Sequence, residues 1–236
     1  MSDNRLHKVQ VSTLHTLRHR ESARYSELMR PTGLDSDVFK FHIRNLVHQG
    51  LIQKREDGAY ILTPNGKEFA NNLDESARTT QKQPKLTLRI CLSRINEKGE
   101  LEYLFQERRR NPFWGYWDTI GGPILWGESI EDAASRELKK QTGLSASFTV
   151  KAFLRVRDFN EDTRELLEDK LFAVLGAREH TGELSNTWHG GHNRWMTAGD
   201  LLATGKYFQT IPKMLALLQS GLSYASEDVR YSSKQY

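Results

Sequence analysis

The sequence predicts an α+β protein built as two modules, a small helical unit carrying one β-hairpin and a larger strand-rich layered unit. Three observations predict this. The chain has 236 residues, room for two ordinary domains. Residues 1–74 carry helical apolar spacing broken once by a hairpin signal. After the polar stretch 75–85 (ESARTTQKQPK), which has no large apolar residue, the pattern turns to strands interspersed with helices.

The elements follow in chain order. Leu6, Val9, Leu14 and Leu17 form a helical apolar stripe over residues 5–19. A short second helix is expected at 26–29, with a turn at Thr32-Gly33. A third helix is expected over 36–48, stopped by Gly50. Segments 51–55 and 59–62 flank Glu56-Asp57-Gly58, a strong hairpin signal, and 65–73 closes the unit as a helix. Beyond the polar stretch, 86–94 and 101–108 read as strands around Glu97-Lys98-Gly99. Segment 130–141 reads as a helix, 148–156 and 170–177 as strands, and 207–219 as an amphipathic helix. The expected division is therefore 1–74, a linker at 75–85, 86–222, and a polar tail at 223–236 that should fray.

Composition excludes several classes. With 37% hydrophobic and 27% charged residues the chain is polar but not of disordered type. No apolar run approaches the roughly 18 residues that a membrane helix needs, and residues 1–7 hold no apolar signal core. Cys91 is the single cysteine, so an internal disulfide and a cysteine-based zinc site are both excluded. A cytoplasmic protein is expected. The net charge is +4. Residues 1–83 hold 13 Lys and Arg against 10 Asp and Glu, a mild basic excess that suits phosphate-backbone binding.

The third helix divides into two faces. Phe39, Ile43, Leu46 and Val47 share one side, while Asp37, Lys40, Phe41, Arg44 and His48 share the other. Ser36 is the expected N-cap, placed to touch a phosphate near the helix start. Lys54 and Arg55 lie on the hairpin, where backbone phosphates would pass. Through FKFHIRNLVHQGLIQK (39–54) and YILTPNGKEFA (60–70), the segment resembles MarR-type winged helix-turn-helix regulators. The resemblance implies a third helix in the DNA major groove, with Ser36, Lys40, Arg44, His48, Lys54 and Arg55 as candidate DNA contacts and a homodimer on two half-sites. Asp35 and Asp37 oppose strong affinity. Phe41 on the outer face suits a base, a thymine methyl or a partner surface.

In the second module the informative stretch is GGPILWGESIEDAASRELKKQTGL (121–144). It resembles the Nudix box: Gly122, Glu128, Arg136, Glu137, Leu138, Gly143 and Leu144 all fall on that family's spacing. The flanks YLFQERRRNPFWGYWDTIGG (103–122) and HNRWMTAGDLL (192–202) extend the resemblance over about residues 86–220. It implies a Nudix α/β/α sandwich in the C-terminal half. Two positions depart from the pattern. Where the family has a Glu-Glu pair, this chain has Lys140 and Gln141. Helical spacing places 137, 140 and 141 on one face, where three carboxylates would hold Mg²⁺ or Mn²⁺ against a pyrophosphate. Here one carboxylate remains, beside a lysine expected to pair with it, while Arg136 is expected to pair with Glu128. If the domain is active, Glu137 and Arg136 are its catalytic residues and Glu137 its metal ligand. Glu165, Glu168 and Asp169 stand as candidate replacement ligands from a later strand or loop.

A changed catalytic helix leaves a binding cleft. Arg108, Arg109, Arg110 and Lys140 are candidate phosphate contacts, and Trp114, Tyr116 or Trp117 candidate platforms for a base. His180, His189 and His192 lie near Gly190-Gly191, where loop histidines are more often solvated than ligating.

Three readings follow. One is a DNA-binding transcriptional regulator whose Nudix-like domain senses a nucleotide-type ligand, needs no cofactor for sensing and has little or no hydrolase activity. Another is an active Nudix pyrophosphohydrolase of nucleoside diphosphate derivatives, using Mg or Mn, with an accessory winged helix. The third is a protein-interaction module with neither activity. Regulators of NAD metabolism that join these two modules usually carry the Nudix domain first, so their ligand does not carry over to this order.

Overall fold

The computed structural model describes residues 6–74 and 79–232. The chain divides into two units, Met1–Lys82 and Gln83–Tyr236. Lys85 already opens a strand, so the expected linker, 75–85, is shorter than composition suggests; residues 75–78 lie outside the described residues.

The first unit runs α1 (Lys8–Arg18), α2 (Tyr25–Met29), a 3₁₀ turn (Arg30–Thr32) and α3 (Ser36–His48). The hairpin β1 (Ile52–Lys54) and β2 (Tyr60–Leu62) follows, then α4 (Pro64–Asn71) and a small antiparallel pair, β3 (Leu73–Asp74) and β4 (Thr79–Thr80). Gly33 at φ +65° makes the turn between α2 and α3. Leu14, Leu28, Phe39 and Leu46 are fully enclosed in one core, each worth about 1.5–3 kcal/mol against exposure. Two expectations need correction. The N-cap of α3 is Asp35 rather than Ser36, which is already helical. Val47 is 43% exposed, and His42 takes the inner place expected of it. His42 can lie there because its ring stacks on His7, 4.3 Å between centroids, the residue whose Nδ1 caps α1. Burial, and then His7, lowers the His42 pKa, favouring the neutral ring.

The second unit is a mixed eight-stranded sheet: β5 (Lys85–Ile95), β6 (Leu101–Arg108), β7 (Trp117–Thr119), β8 (Thr149–Asn160), β9 (Leu166–Ala177), β10 (Thr187–Trp188), β11 (Gly191–Thr197) and β12 (Tyr224–Tyr231). Its order is β10-β11-β6-β5-β9-β8-β12, with β7 added on β6. The helices are α5 (Ile130–Thr142), α6 (Ala198–Ala203) and α7 (Thr210–Ser220). Alternation along the central strands builds two cores. Leu88, Ile90 and Leu92 of β5 pack with Ala133, Ala134 and Leu138 of α5, while Cys91 packs on the other face with Ile211 and Met214 of α7. The result is the expected helix–sheet–helix sandwich.

Most of the segment expected to fray is a strand, and residues 233–236 lie outside the described residues. β12 pairs in parallel with β8 over its full length, burying Val229 and Tyr231. Two inward residues anchor this edge strand and the rest stay polar, so average composition hides it. One local feature positions the functional cleft. β5 and β6 pair only through Ser93–Ile95 and Leu101–Tyr103 and then splay. The chain at 117–123 enters the gap, held by β6 through β7 and by β5 through Ile90–Ile120 and Leu88–Gly122 hydrogen bonds. Among the described residues no helix is long and apolar enough to cross a membrane.

Candidate functional site

At the splayed end of the sheet a cavity of about 660 Å³ lies between β5, β6, β9, the 118–123 segment and α5. This is the size of a small-molecule site.

α5 is fixed first. Ser129 caps it, its hydroxyl accepting from the Asp132 N–H at 3.1 Å, and Gly143 ends it at φ +77°. The first turn carries Glu131 and Asp132, both exposed and off the cleft face. On that face Glu137 is only 2% exposed and both of its oxygens are engaged. Arg136 donates to Oε1, the Lys140 ammonium lies 3.7 Å from the same atom, and Gln141 Nε2 donates to Oε2 at 2.7 Å. Arg136 also grips Glu128 with two bonds of 2.7 and 2.8 Å. That contact holds the Glu128 carboxyl down at about 2 and raises the guanidinium. Both expected pairs therefore form.

Gln141 does more than lose a charge. Its amide also donates to the Gly121 carbonyl at 2.7 Å, and it belongs to a buried amide network with Gln106 and Asn193. A glutamate would suit a metal here; glutamine suits a hydrogen-bonded wall. The candidate replacements do not restore a carboxylate cluster. Glu165 is exposed in the turn before β9. Asp169 is held by Arg155 at 2.7 and 3.1 Å. Glu168 lines the cavity but contacts Lys170 and Lys85, which outweigh burial and lower its pKa. Among the described residues no three His, Cys, Asp or Glu side chains gather as a metal site. The donor set here does not fit the divalent ion that the family's helix normally holds. His180 packs on Trp195, and His189 on Trp188.

What the cavity offers instead is cationic. Lys85, Arg89, Arg108, Arg110, Lys140 and Lys170 line it, against Asp118, Glu137, Asp158 and Glu168. Each acid is matched: Asp118 by Arg89 at 2.6 Å, Asp158 by Lys170 at 2.8 Å, Glu168 by Lys85 and Lys170, and Glu137 by α5 itself. Asp158 and Glu168 outweigh the burial of Lys170 and raise its pKa. Arg108 and Arg110 have no carboxylate partner among the described residues. Burial lowers the Arg108 pKa, leaving a poorly hydrated cation in the wall.

Of the expected ligand contacts, Arg108, Arg110 and Lys140 line the cavity. Four proposed positions do not, among them Trp114, which is 55% exposed. Arg109 alternates outward to Glu107 and Trp114. Trp117 is 8% exposed within the core beneath Arg194, and Tyr116 packs on that core. Strand alternation and the close packing of β7 decide these cases. Sequence reading missed Arg89, Lys170, Thr119, Trp188 and Thr210. Their residue types are unremarkable alone; only the sheet brings them together. A hollow of about 1110 Å³ beside the end of α7, near Lys151 and Arg178, holds none of the unpartnered buried polar atoms described below.

In the first unit, Ser36, Lys40, Arg44, His48, Lys54 and Arg55 are all exposed. Lys40 and Arg44 have no ion pair among the described residues, whereas Arg55 lies 3.7 Å from Asp57. The Ser36 carbonyl accepts from the Tyr25 hydroxyl at 2.7 Å, tying the start of α3 to α2. Val38 and Phe41, 49% and 61% exposed, stand among these polar groups.

A family model described as a NUDIX domain matches residues 85–218, and one described as a winged helix-turn-helix matches residues 8–81. Among solved structures, the chain is similar to the NUDIX domain of Shewanella oneidensis NrtR, crystallised with ADP ribose. Identity is 19%, coverage 67% of this chain and 98% of that one, and the TM-score 0.51. It is also similar to a MutT protein from Bacillus halodurans, at 18% identity, 64% and 93% coverage, and a TM-score of 0.49. At these identities the likeness is one of fold.

Proposed function

The chain belongs to the Nudix family, and on that premise we propose that it is a DNA-binding transcriptional regulator. Its Nudix domain senses a nucleotide-type ligand and has little or no hydrolase activity. One observation carries the reading: Glu137 is enclosed by Arg136, Lys140 and Gln141 in a cavity whose other acids are all matched by cations. Metal-assisted hydrolysis needs an ion to polarise phosphate and generate hydroxide. This donor set opposes a divalent ion, and it favours an anion bound directly. Sensing then requires no cofactor. Mg or Mn belongs to the alternative, an active pyrophosphohydrolase.

The winged helix supplies the DNA partner. Lys40 and Arg44 project from α3 with no ion pair among the described residues, and His48, Lys54 and Arg55 extend the basic surface to the hairpin. Ser36 stays a candidate phosphate contact by position rather than as a cap. A homodimer on two half-sites is the expected assembly, and a cytoplasmic location suits a DNA-binding protein.

ADP-ribose is the first ligand to try, because the similar NrtR domain was crystallised with it. The test measures salt-dependent binding of the full chain to duplex DNA selected from a random library, with and without ADP-ribose. Phosphate release from nucleoside diphosphate derivatives is followed in Mg²⁺ and Mn²⁺. A shift in DNA affinity without turnover supports the reading. Turnover that disappears in Glu137→Gln would establish the hydrolase instead.

A further inference from the structure

Among the described residues, five buried polar atoms on residues that line the cavity have no hydrogen-bond partner: Arg89 Nε, Arg108 Nε, Trp188 Nε1 and the hydroxyls of Thr119 and Thr210. Buried polar groups are normally satisfied, and an orphan costs stability, so five in the lining of one cavity need a common explanation. Arg89, Thr119 and Thr210 are each at least nine-tenths buried. The three nitrogens donate and cannot accept. The group that satisfies them is rich in acceptors and, beside so many cations, anionic.

The sheet register locates it. Trp188 pairs with Gly191 and Gly191 with Arg108, so the three form one row across β10, β11 and β6. Residues directly opposite share a face. The Glu107 carbonyl and the Gln106 side chain take up the space a Cβ on Gly191 would fill, and the two outer members of the row, Trp188 and Arg108, both line the cavity. The backbone is shaped to hold these groups. A Cβ on Gly190 would come within 2.3 Å of the Trp188 ring, and one on Gly191 within 2.6 Å of Gln106. Gly190 thus lets the indole lie flat over the turn, which is pinned to β6 by the Arg109 N–H donating to the Gly190 carbonyl at 3.0 Å.

We propose that Trp188 and Arg108 each donate an N–H to a phosphate group of the ligand, with no divalent ion interposed, and that Trp188 is a specificity-determining residue of this domain. This rests on the reading that the cavity takes a nucleotide. Arg89, locked to Asp118 and stacked 4.4 Å over Phe172, lines the same cavity with its Nε free.

The test is calorimetric titration of the full chain with AMP and with adenosine, in EDTA and in Mg²⁺. The wild type should bind AMP at least tenfold more tightly than adenosine, equally in both buffers. Trp188→Phe keeps the ring and removes the N–H; it should weaken AMP about tenfold and leave adenosine within twofold. Gly190→Ala, which displaces the indole, should reproduce that selective loss, and Arg108→Gln should exceed it. The proposal is overturned if Trp188→Phe weakens both ligands alike, if AMP and adenosine bind the wild type equally, or if EDTA abolishes AMP binding. In those cases the nucleotide-sensing reading survives. If AMP, adenosine and ADP-ribose all fail to bind, both fall together.

Discussion

α3 and α5 are both thirteen-residue helices with a charged face, and they use their charges in opposite ways. α3 holds Lys40 and Arg44 in solvent, with no ion pair among the described residues. On its cleft face α5 pairs its charges within the fold, Arg136 on Glu128 and Glu137, Lys140 on Glu137, with Gln141 closing the last oxygen. Charges left unpaired on a rigid surface are available to a partner. Charges satisfied inside a wall shape a cavity but no longer recruit an ion. This contrast supports the proposed roles, α3 as the DNA-contacting surface and α5 as the wall of a ligand cavity, more directly than charge counts do.

The contrast can be broken by substitution. The largest effect is expected at α5. Gln141→Glu would set a second carboxylate against Glu137 Oε2 and the Gly121 carbonyl, three acceptors without a proton between them. We expect about 3 kcal/mol of lost stability in EDTA, read by urea unfolding. Mg²⁺ should recover part of it, and Lys140→Glu with Gln141→Glu should gain Mg²⁺-dependent hydrolysis. A fully stable, metal-indifferent Gln141→Glu would refute the enclosed-wall account.

Next comes α3, where the same kind of change should spare the fold. Lys40→Ala with Arg44→Ala should weaken DNA binding roughly 100-fold and reduce the salt slope by about two. Thermal stability should stay within a degree or two of the wild type, since both residues are exposed and have no ion pair among the described residues. Unchanged DNA affinity, measured by fluorescence anisotropy across a salt series, would remove α3 from the interface.

The smallest effect sharpens the comparison at Glu128. Its folded pKa, about 2, lies below the ordinary 4.5. The stabilisation is therefore fully present above 4.5 and lost as pH falls toward 2. Glu128→Gln should be less stable than wild type at pH 7, with the difference closing by pH 2. Unfolding curves at pH 7, 4 and 2.5 check this, and a difference as large at pH 2.5 as at pH 7 would show that the ion pair is not its source.

Much was legible in the chain. Apolar spacing and Gly50 delimit α3, observed over Ser36–His48 as expected, and the spacing from Gly122 to Leu144 identifies α5 and its pairing of Arg136 with Glu128. Lys140 beside Glu137 follows from i,i+3 geometry alone. The errors share a cause. Ser36 was shifted by one residue from the cap, and Val47 stands exposed while His42, stacked on distant His7, lies inside. Trp117 went to the core and Arg109 to solvent because strand alternation, not residue type, chooses the face.

By itself the sequence determined the two modules, the helices and the lost carboxylate pair, because these depend on neighbours within one or two turns. The tertiary structure decided which residues form the cavity, since Arg89, Arg108, Thr119, Trp188 and Thr210 come from elements far apart in the chain. It also decided that β12 is a strand. Pairing with β8 and the burial of two side chains hold β12, and such long-range hydrogen bonds and contacts leave little periodic trace in so short a polar segment.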